Sequence, residues 1–203
     1  MTNSEQIARI RISLKDIEPE IWRLVEVPLG MHLKGLHDVI QAVMGWRDCH
    51  LFEFRIGEKR YGIPDADLDL DRKVLQAKAV RLAAFVSRGI ERFDYIYDFG
   101  DNWEHAVVIE TIADANPALK YPCFVAGARR GAPEDVGGPP GFFDFLEAVA
   151  NPHHSEHQRL IEWYGGPYDP DDLDRRALRL RLGAIAKRYR AGKAAFAKSQ
   201  LKS

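Results

Sequence analysis

Alternating apolar and polar positions predict three β-hairpins in the first 112 residues of the chain. A turn that contains Pro19 separates the strands of the first pair, and a turn at Gly57 separates those of the second. Two such runs joined by a short polar turn are typical of antiparallel pairing. The predicted strand pairs are 7–14 with 21–27, 51–56 with 60–63, and 93–97 with 104–112.

Apolar residues recur at helical spacing from Leu33 to Met44 and predict an amphipathic helix that ends near Gly45. Helical patterns dominate the chain again after residue 141. In one of them, Ser155 and Gln158 match a capping box. The further predicted helices are a short one within 80–87, then 142–150, 155–164, and a long one from Asp169 to about Ala191.

Two segments predict loops. Residues 64–72 are acidic, but they lack the central glycine and the terminal glutamate of a calcium-binding loop, which predicts a solvated loop. Residues 121–141 are rich in glycine and proline, which predicts a long loop. Long ordered loops often carry function, so this segment is a candidate for the binding surface.

This order of elements predicts an α+β fold, in which an antiparallel sheet built from hairpins, with one helix between them, precedes a helical C-terminal part. The 203 residues, 46% hydrophobic and 29% charged, suffice for a domain with its own core. We expect a single domain over residues 1–190 and a basic, frayed tail over 191–203.

Two cysteines make no disulfide framework, and neither a signal-peptide pattern nor an apolar run of about 20 residues occurs. We therefore expect a cytoplasmic protein without a membrane contact.

Charge is distributed unevenly along the chain. The net charge is −1, yet residues 175–203 hold ten basic and no acidic residues, while the remainder holds 19 basic and 30 acidic residues. Such an asymmetry is typical of a segment that binds polyanions, and the alternative is that the segment lies on the acidic body of its own chain. The candidate nucleic-acid contacts are Arg175, Arg176, Arg179, Lys187, Arg188 and Arg190.

Four sequence blocks resemble one family along residues 6–180. The blocks are IEPEIWRLVEVP (17–28), LHDVIQAVMGWRDCHLFEF (36–54), YDFGDNWEH (97–105), and the run from YP (121–122) to WYGGPYDP (163–170). Together they resemble the ORF-three-like family named from the root-inducing plasmid pRi, some members of which are labelled transposon-resolvase-like passenger proteins. The resemblance implies a compact α+β fold and an association with mobile-element DNA, and it implies no established activity.

The turn between the strands of the third hairpin carries acidic and imidazole groups. A tight turn allows Asp98 and Asp101 to approach each other, and we expect His105 to follow on the next strand, close to Trp103. Carboxylates with an imidazole hold divalent metals or act as acid and base. The alternative is structural, because turn aspartates commonly bond their own backbone and the tryptophan then belongs to the core.

Two further groups extend this candidate pocket. His154 and His157 share one face of a predicted helix and suit zinc, whereas the alternative is helix capping and packing. In the glycine-rich loop, Arg129 offers an anion cradle, while Glu134 and Asp135 offer carboxylates that alternatively pair with arginines to pin the loop.

Two functional hypotheses follow. The first is a non-enzymatic binding module of unknown partner, without a cofactor, whose surface combines loop 121–141, turn 98–105 and the helix start at 153–157, with nucleic acid bound by the basic segment. The second is a metal-assisted hydrolase or phosphoryl-transfer enzyme that holds a divalent metal. Its pocket requires convergence of Asp98, Asp101, His105, Glu134, Asp135, His154 and His157.

Overall fold

The computed structural model describes residues 5–64 and 73–200 and contains one sheet of eight strands. The strands are β1 (Gln6–Leu14), β2 (Trp22–Pro28), β3 (Phe52–Ile56), β4 (Lys59–Gly62), β5 (Val74–Gln76), β6 (Arg92–Tyr97), β7 (Trp103–Asp114) and β8 (Cys123–Ala128). Their order in the sheet is β5-β4-β3-β6-β7-β1-β2-β8. The predicted α+β class is confirmed. From residue 65 onward, the loop predicted over 64–72 lies outside the described residues.

The three predicted hairpins form, as β1 with β2, β3 with β4, and β6 with β7. Strand β1 also pairs antiparallel with β7, with Ile12 opposite Val107, and β3 pairs antiparallel with β6; these two pairings join the three hairpins into one sheet. The alternating pattern of β1 places Ile10, Ile12 and Leu14 in the core. One pair, β4 with β5, is parallel. The sheet is therefore mixed, whereas the sequence predicted an antiparallel sheet.

Helix α1 (Leu33–Met44) forms where its apolar spacing predicts a helix. It lies between the sheet and the C-terminal helix. On the sheet side, the ring of His37 stacks on that of Phe52 at 3.7 Å between centroids. The helix ends at Gly45, whose φ of 94° is the left-handed conformation that favours glycine. The short helix predicted within 80–87 is α2 (Ala83–Val86).

The prediction of a long loop over residues 121–141 is wrong at both ends. Residues Cys123–Ala128 form β8, which pairs with the outer edge of β2. The backbone N–H and C=O groups of an unpaired strand edge can pair with any extended segment, and a local sequence pattern does not show where such an edge lies.

Helix α3 (Gly138–Ala150) begins before the predicted start at residue 142. Pro139 and Pro140 occupy its first turn, where the backbone N–H that proline lacks would have no partner within the helix.

The last two helices begin later than predicted. Helix α4 is His157–Tyr164, and no capping box forms at Ser155; instead, Nδ1 of His154 accepts a hydrogen bond from the backbone N–H of Glu156. Helix α5 is Arg175–Gln200. The aspartates before it bond local backbone N–H groups, as Asx turns do, and Asp174 caps the N–H of Ala177. The predicted domain boundary at residue 190 stays a prediction, although α5 continues through residues 191–200.

Candidate functional site

Three segments meet next to the end of β6: the turn 98–102, the segment 45–50 after α1, and the loop 129–137 between β8 and α3. Two glycines permit this contact. A Cβ atom on Gly131 would lie 2.0 Å from the carbonyl oxygen of Met44, and one on Gly138 would lie 2.4 Å from that of Asp101. Only a residue without a side chain fits at such distances, so the loop lies directly on the other two backbones.

His50 lies at the centre of this junction. Its Nε2 atom is 2.7 Å from Oδ1 of Asp135 and 3.4 Å from Oδ2 of Asp98. We call His50, Asp98 and Asp135 the His50 cluster; their ligand atoms all lie within 4.8 Å of one another. Burial lowers the pKa of His50, but the Asp135 hydrogen bond and the neighbouring carboxylates outweigh it, and the pKa is raised. One imidazole and two carboxylates are also a ligand set for a divalent transition metal.

The two aspartates of the turn have different roles. Oδ1 of Asp98 accepts hydrogen bonds from the backbone N–H groups of Gly100 and Asp101, at 3.0 and 3.3 Å, which leaves Oδ2 facing His50. Oδ2 of Asp101 accepts the backbone N–H of Gly137 at 3.1 Å. Asp101 therefore pins the loop to the turn, while Asp98 both closes the turn and contributes to the cluster.

Glu134 and Tyr97 form the second contact between loop and sheet. The Tyr97 hydroxyl donates to Oε1 of Glu134 and accepts the backbone N–H of Cys49 at 3.0 Å. Oε2 of Glu134 accepts the backbone N–H of Arg47 at 2.8 Å. Burial, together with the Glu134 carboxylate, raises the pKa of Tyr97, so the phenol stays a donor. Glu134 is thus satisfied by the structure around it.

A closed hydrogen-bond ring fixes the segment that carries His50. His37 bonds Oδ1 of Asp48 through Nε2 at 2.7 Å and the Tyr95 hydroxyl through Nδ1 at 2.8 Å. Gln41 donates to the Tyr95 hydroxyl, and its Oε1 accepts the backbone N–H of Asp48. The bond from His37, together with Lys34, lowers the pKa of Asp48 to about 2. Because both ring nitrogens of His37 are used, this histidine is a positioning group.

Trp103 and His105, which the sequence places in the pocket, lie in the core. Trp103 is 1% exposed and His105 is fully buried. Nδ1 of His105 donates toward the carbonyl oxygens of Trp103 and Tyr95, at 3.0 and 3.3 Å. Burial lowers the pKa of His105 to about 3, which keeps the ring neutral. These positions match the structural alternative considered for the turn.

The other predicted pocket residues lie around the junction without joining the cluster. Arg129 pairs with Asp171 at 2.8 Å. Nδ1 of His157 donates to the carbonyl oxygen of Ala148 at 2.9 Å. His154 lines a groove between α3 and α4, and Asp135 lines the same groove. Of the acidic and imidazole residues predicted to converge, the structure therefore brings Asp98 and Asp135 to one cluster, with Asp101 and Glu134 beside it.

Comparison with known proteins places the chain in a family. A family model described as plasmid pRiA4b ORF-3-like protein matches residues 6–177. The chain belongs to the plasmid pRiA4b ORF-3-like family. A relative of similar sequence, the uncharacterized protein y4hQ of Sinorhizobium fredii, is 38% identical over 159 residues, which are 78% of this chain and 81% of that protein.

A solved structure has the same fold as this ORF-3-like protein. The crystal structure of MM3350, a protein of unknown function from Methanosarcina mazei Go1, matches with a TM-score of 0.77 at 32% sequence identity. The match covers 87% of this chain and 98% of that one. The family and its fold are thus established.

The basic segment of this ORF-3-like protein is the helix α5. Its buried residues are Leu178, Leu182, Ile185 and Ala186, and it packs on α1 and β8. Two ion pairs join its cations to the rest of the described chain, Arg188 with Asp38 at 3.9 Å and Lys193 with Glu5 at 2.8 Å. No helix in ranges 5–64 and 73–200 combines the length and the apolarity that crossing a bilayer requires.

His50 and Tyr97 were not predicted as site residues from the sequence. Both depend on the pairing of β3 with β6, in which Phe52 lies opposite Tyr97. The two strands belong to different predicted hairpins, and the sequence pattern does not say which hairpins are neighbours. The available signals in the sequence were that His50 is a polar residue shortly before a predicted strand and that Tyr97 is an aromatic residue at the end of one.

Proposed function

We propose that this protein is a nucleic-acid-binding module that contacts phosphates through one side of α5. The residues of this surface, which we call the basic stripe, are Arg176, Arg179, Lys187, Arg190 and Lys198. At about 100° per residue, they fall within roughly 100° of the helix circumference and span about 33 Å along it. The stripe includes four of the six basic residues that the sequence singles out; Arg175 instead lies over the ring of Phe124, and Arg188 near Asp38.

The observation that carries this proposal is the lack of internal neutralisation. Within the described residues, none of the five stripe side chains forms an ion pair. The first half of the helix is attached by its apolar side, through Leu178, Leu182, Ile185 and Ala186, so the cations there project from a packed support. A row of solvated cations matches the regular charge of a nucleic-acid backbone, and its binding releases counterions. Such contacts carry no sequence information, so the proposal concerns nucleic acid in general.

The composition of α5 favours nucleic acid over a membrane surface. A helix that lies in a membrane interface needs an exposed apolar side next to its cations. The apolar side of α5 is packed against α1 and β8, and its large exposed apolar residues are Leu180 and Phe196. Phosphate contacts need no such side.

Fluorescence anisotropy with a labelled duplex of about 20 base pairs, at about 50 mM salt, tests this proposal. We expect saturable binding that weakens at least about tenfold when four stripe residues are neutralised as Arg176→Gln, Arg179→Gln, Lys187→Gln and Arg190→Gln. A matched control removes four exposed cations elsewhere, as Lys59→Gln, Arg88→Gln, Arg92→Gln and Lys120→Gln. No binding by the wild type, an equal loss in both variants, or tighter binding to anionic vesicles than to DNA would overturn the proposal.

The His50 cluster supports a second candidate function, metal-assisted hydrolysis. Its specific support is the convergence of Asp98 and Asp135 on one nitrogen of His50. A cation there replaces the Nε2 proton, so its affinity rises with pH. Elemental mass spectrometry of protein purified without chelator, followed by calorimetric titration with zinc and manganese, tests this candidate. His50→Ala abolishes binding and the exposed His153→Ala does not; metal-free protein that takes up neither ion excludes the candidate.

A further inference from the structure

A cleft of about 400 Å³ lies beside the C-terminal end of α1, bounded by the loop 130–135 and by the first turns of α5. Four arginines line it, and three of them come from distant parts of the chain and have no acidic partner among the described residues: Arg23 of β2, Arg47 after α1, and Arg181 of α5. We call this the arginine cleft. Trp163, which is 45% exposed, forms part of the same lining.

Arg23 is an unusual residue for a protein interior. It is 1% exposed. Its Nε donates to the carbonyl oxygen of Val43 at 2.7 Å, and its Nη1 donates to those of Trp22 and Ala128 at 2.8 and 2.7 Å. Among the described residues it forms no ion pair, and its Nη2 has no hydrogen-bond partner. Buried charges are normally paired, so this guanidinium lacks the counter-charge that its burial calls for.

The other two guanidinium groups of the cleft also lack acidic partners. Arg47 uses only its backbone N–H, toward Glu134, and Arg181 donates to the carbonyl oxygen of Trp46 at 3.4 Å. Neither forms an ion pair with a residue in ranges 5–64 or 73–200. Arg130 lines the same cleft but differs from them, because it pairs with Asp172. The cleft therefore gathers three guanidinium groups with unused charge.

The carboxylates around the cleft do not neutralise them. Glu134 accepts hydrogen bonds from the Tyr97 hydroxyl and the Arg47 backbone. Asp135 bonds His50, and Asp174 caps the first turn of α5 through the N–H of Ala177. Each accepts a bond that holds the fold, and none of the three forms an ion pair with Arg23, Arg47 or Arg181, so these guanidinium groups keep donors that an added oxyanion can use.

We propose that the arginine cleft binds the phosphate or carboxylate group of a small molecule. Guanidinium groups present paired N–H donors that match both kinds of oxyanion. The anion completes the coordination of Arg23 through Nη2, while Arg47 and Arg181 close over it. The exposed ring of Trp163 offers an apolar contact to the rest of the molecule. This site is separate from the basic stripe, because Arg181 lies on the opposite side of α5 at about 100° per residue.

A purely structural role of the three arginines is the competing explanation. Arg23 and Arg181 bond carbonyl oxygens at the C-terminal end of α1, where cations interact favourably with the helix dipole. In that case, added oxyanions have no specific effect. The two explanations therefore differ in whether the protein binds a small anion with saturation.

Calorimetric titration with sodium phosphate, and separately with citrate, against sodium chloride of equal ionic strength decides between them. We expect saturable binding at one site, and a loss of at least about tenfold in affinity on Arg47→Gln, whose side chain forms no hydrogen bond or ion pair with another described residue. Arg88→Gln, at an exposed position outside the cleft, is the matched control and leaves the affinity unchanged. Binding of citrate alone supports the site and assigns it to carboxylates. Absence of saturable binding, or equal loss in both variants, overturns the proposal.

The role of Arg23 is tested in the wild-type protein, because its substitution removes three buried hydrogen bonds and destabilises the fold. We expect the Nε–H NMR signal of Arg23 to shift during the phosphate titration, and an unmoved signal at saturation would overturn its assignment to the site. The variant with four neutralised stripe residues is expected to bind phosphate as the wild type does. Loss of phosphate binding in that variant would instead place the anion on α5 and contradict the cleft assignment.

Discussion

Nε2 of His50 lies 2.7 Å from Oδ1 of Asp135, although 85 residues separate the two along the chain. This contact joins the start of β3 to the glycine-rich loop before α3. It also brings a carboxylate from each of two segments to one imidazole, since Oδ2 of Asp98 lies 3.4 Å from the same nitrogen. The contact is therefore both a structural link and the core of the candidate metal site.

The pKa of His50 tests this link. Burial lowers that pKa, but the bond to Asp135 and the nearby carboxylates raise it by more, so the net pKa is raised. We therefore expect Asp135→Asn to lower the pKa of His50 in an NMR titration. A raised histidine pKa stabilises the folded state below the unfolded-state pKa, and this contribution disappears as the pH rises through the folded-state pKa. Asp144→Asn, at an exposed position of α3, is the control. An unchanged His50 pKa in Asp135→Asn would show that the contact does not persist in solution.

Removal of the Tyr97 hydroxyl tests the second link between loop and sheet. Tyr97→Phe leaves Oε1 of Glu134 and the N–H of Cys49 without their partner, so we expect a loss of about 1–3 kcal/mol in the free energy of unfolding. Tyr61→Phe is the control, because the buried Tyr61 ring packs on Phe85 and its hydroxyl has no hydrogen bond in the described part of the chain. Urea denaturation measures both variants. Equal losses would mean that the bond to Glu134 contributes nothing specific.

A pair of glycine substitutions tests the close approach of the loop to α1. In Gly131→Ala the new Cβ meets the carbonyl oxygen of Met44 at 2.0 Å, so we expect a loss of about 2 kcal/mol or more. Gly183 lies in α5 with nothing within 4 Å, and Gly183→Ala is expected to gain up to about 1 kcal/mol from helix propensity. Thermal or urea unfolding gives both values. A neutral Gly131→Ala variant would contradict the close packing of loop on helix.

Local patterns account for much of this fold. The three hairpins and α1 follow from spacing within short segments, because burial of one side dictates period two in strands and near four in helices. Strand β8 escaped prediction, since its formation depends on the free edge of β2. The start of α5 escaped as well, because aspartate side chains before Arg175 compete for the backbone N–H groups.

The candidate site was less predictable than the fold. Asp98 and Asp135 were identified from their residue types and loop positions, but the group that joins them, His50, depends on contacts between segments that are remote in sequence. His105 was selected for its nearness to Asp98, yet the alternation of β7 turns it into the core. The distribution of charge along the chain singled out the segment that forms α5, and the structure adds which of its cations form ion pairs and which side of the helix is buried.

The salt dependence of DNA affinity tests the central claim, that the basic stripe of α5 contacts phosphates. The logarithm of the association constant is measured against the logarithm of salt concentration for the wild type and for the variant with Arg176, Arg179, Lys187 and Arg190 changed to glutamine. We predict a steep negative slope for the wild type, reduced in magnitude by about 3 to 4 in the variant, since each phosphate contact contributes nearly one unit. A slope that is the same in both proteins, or a wild type whose affinity does not change with salt, would contradict the claim.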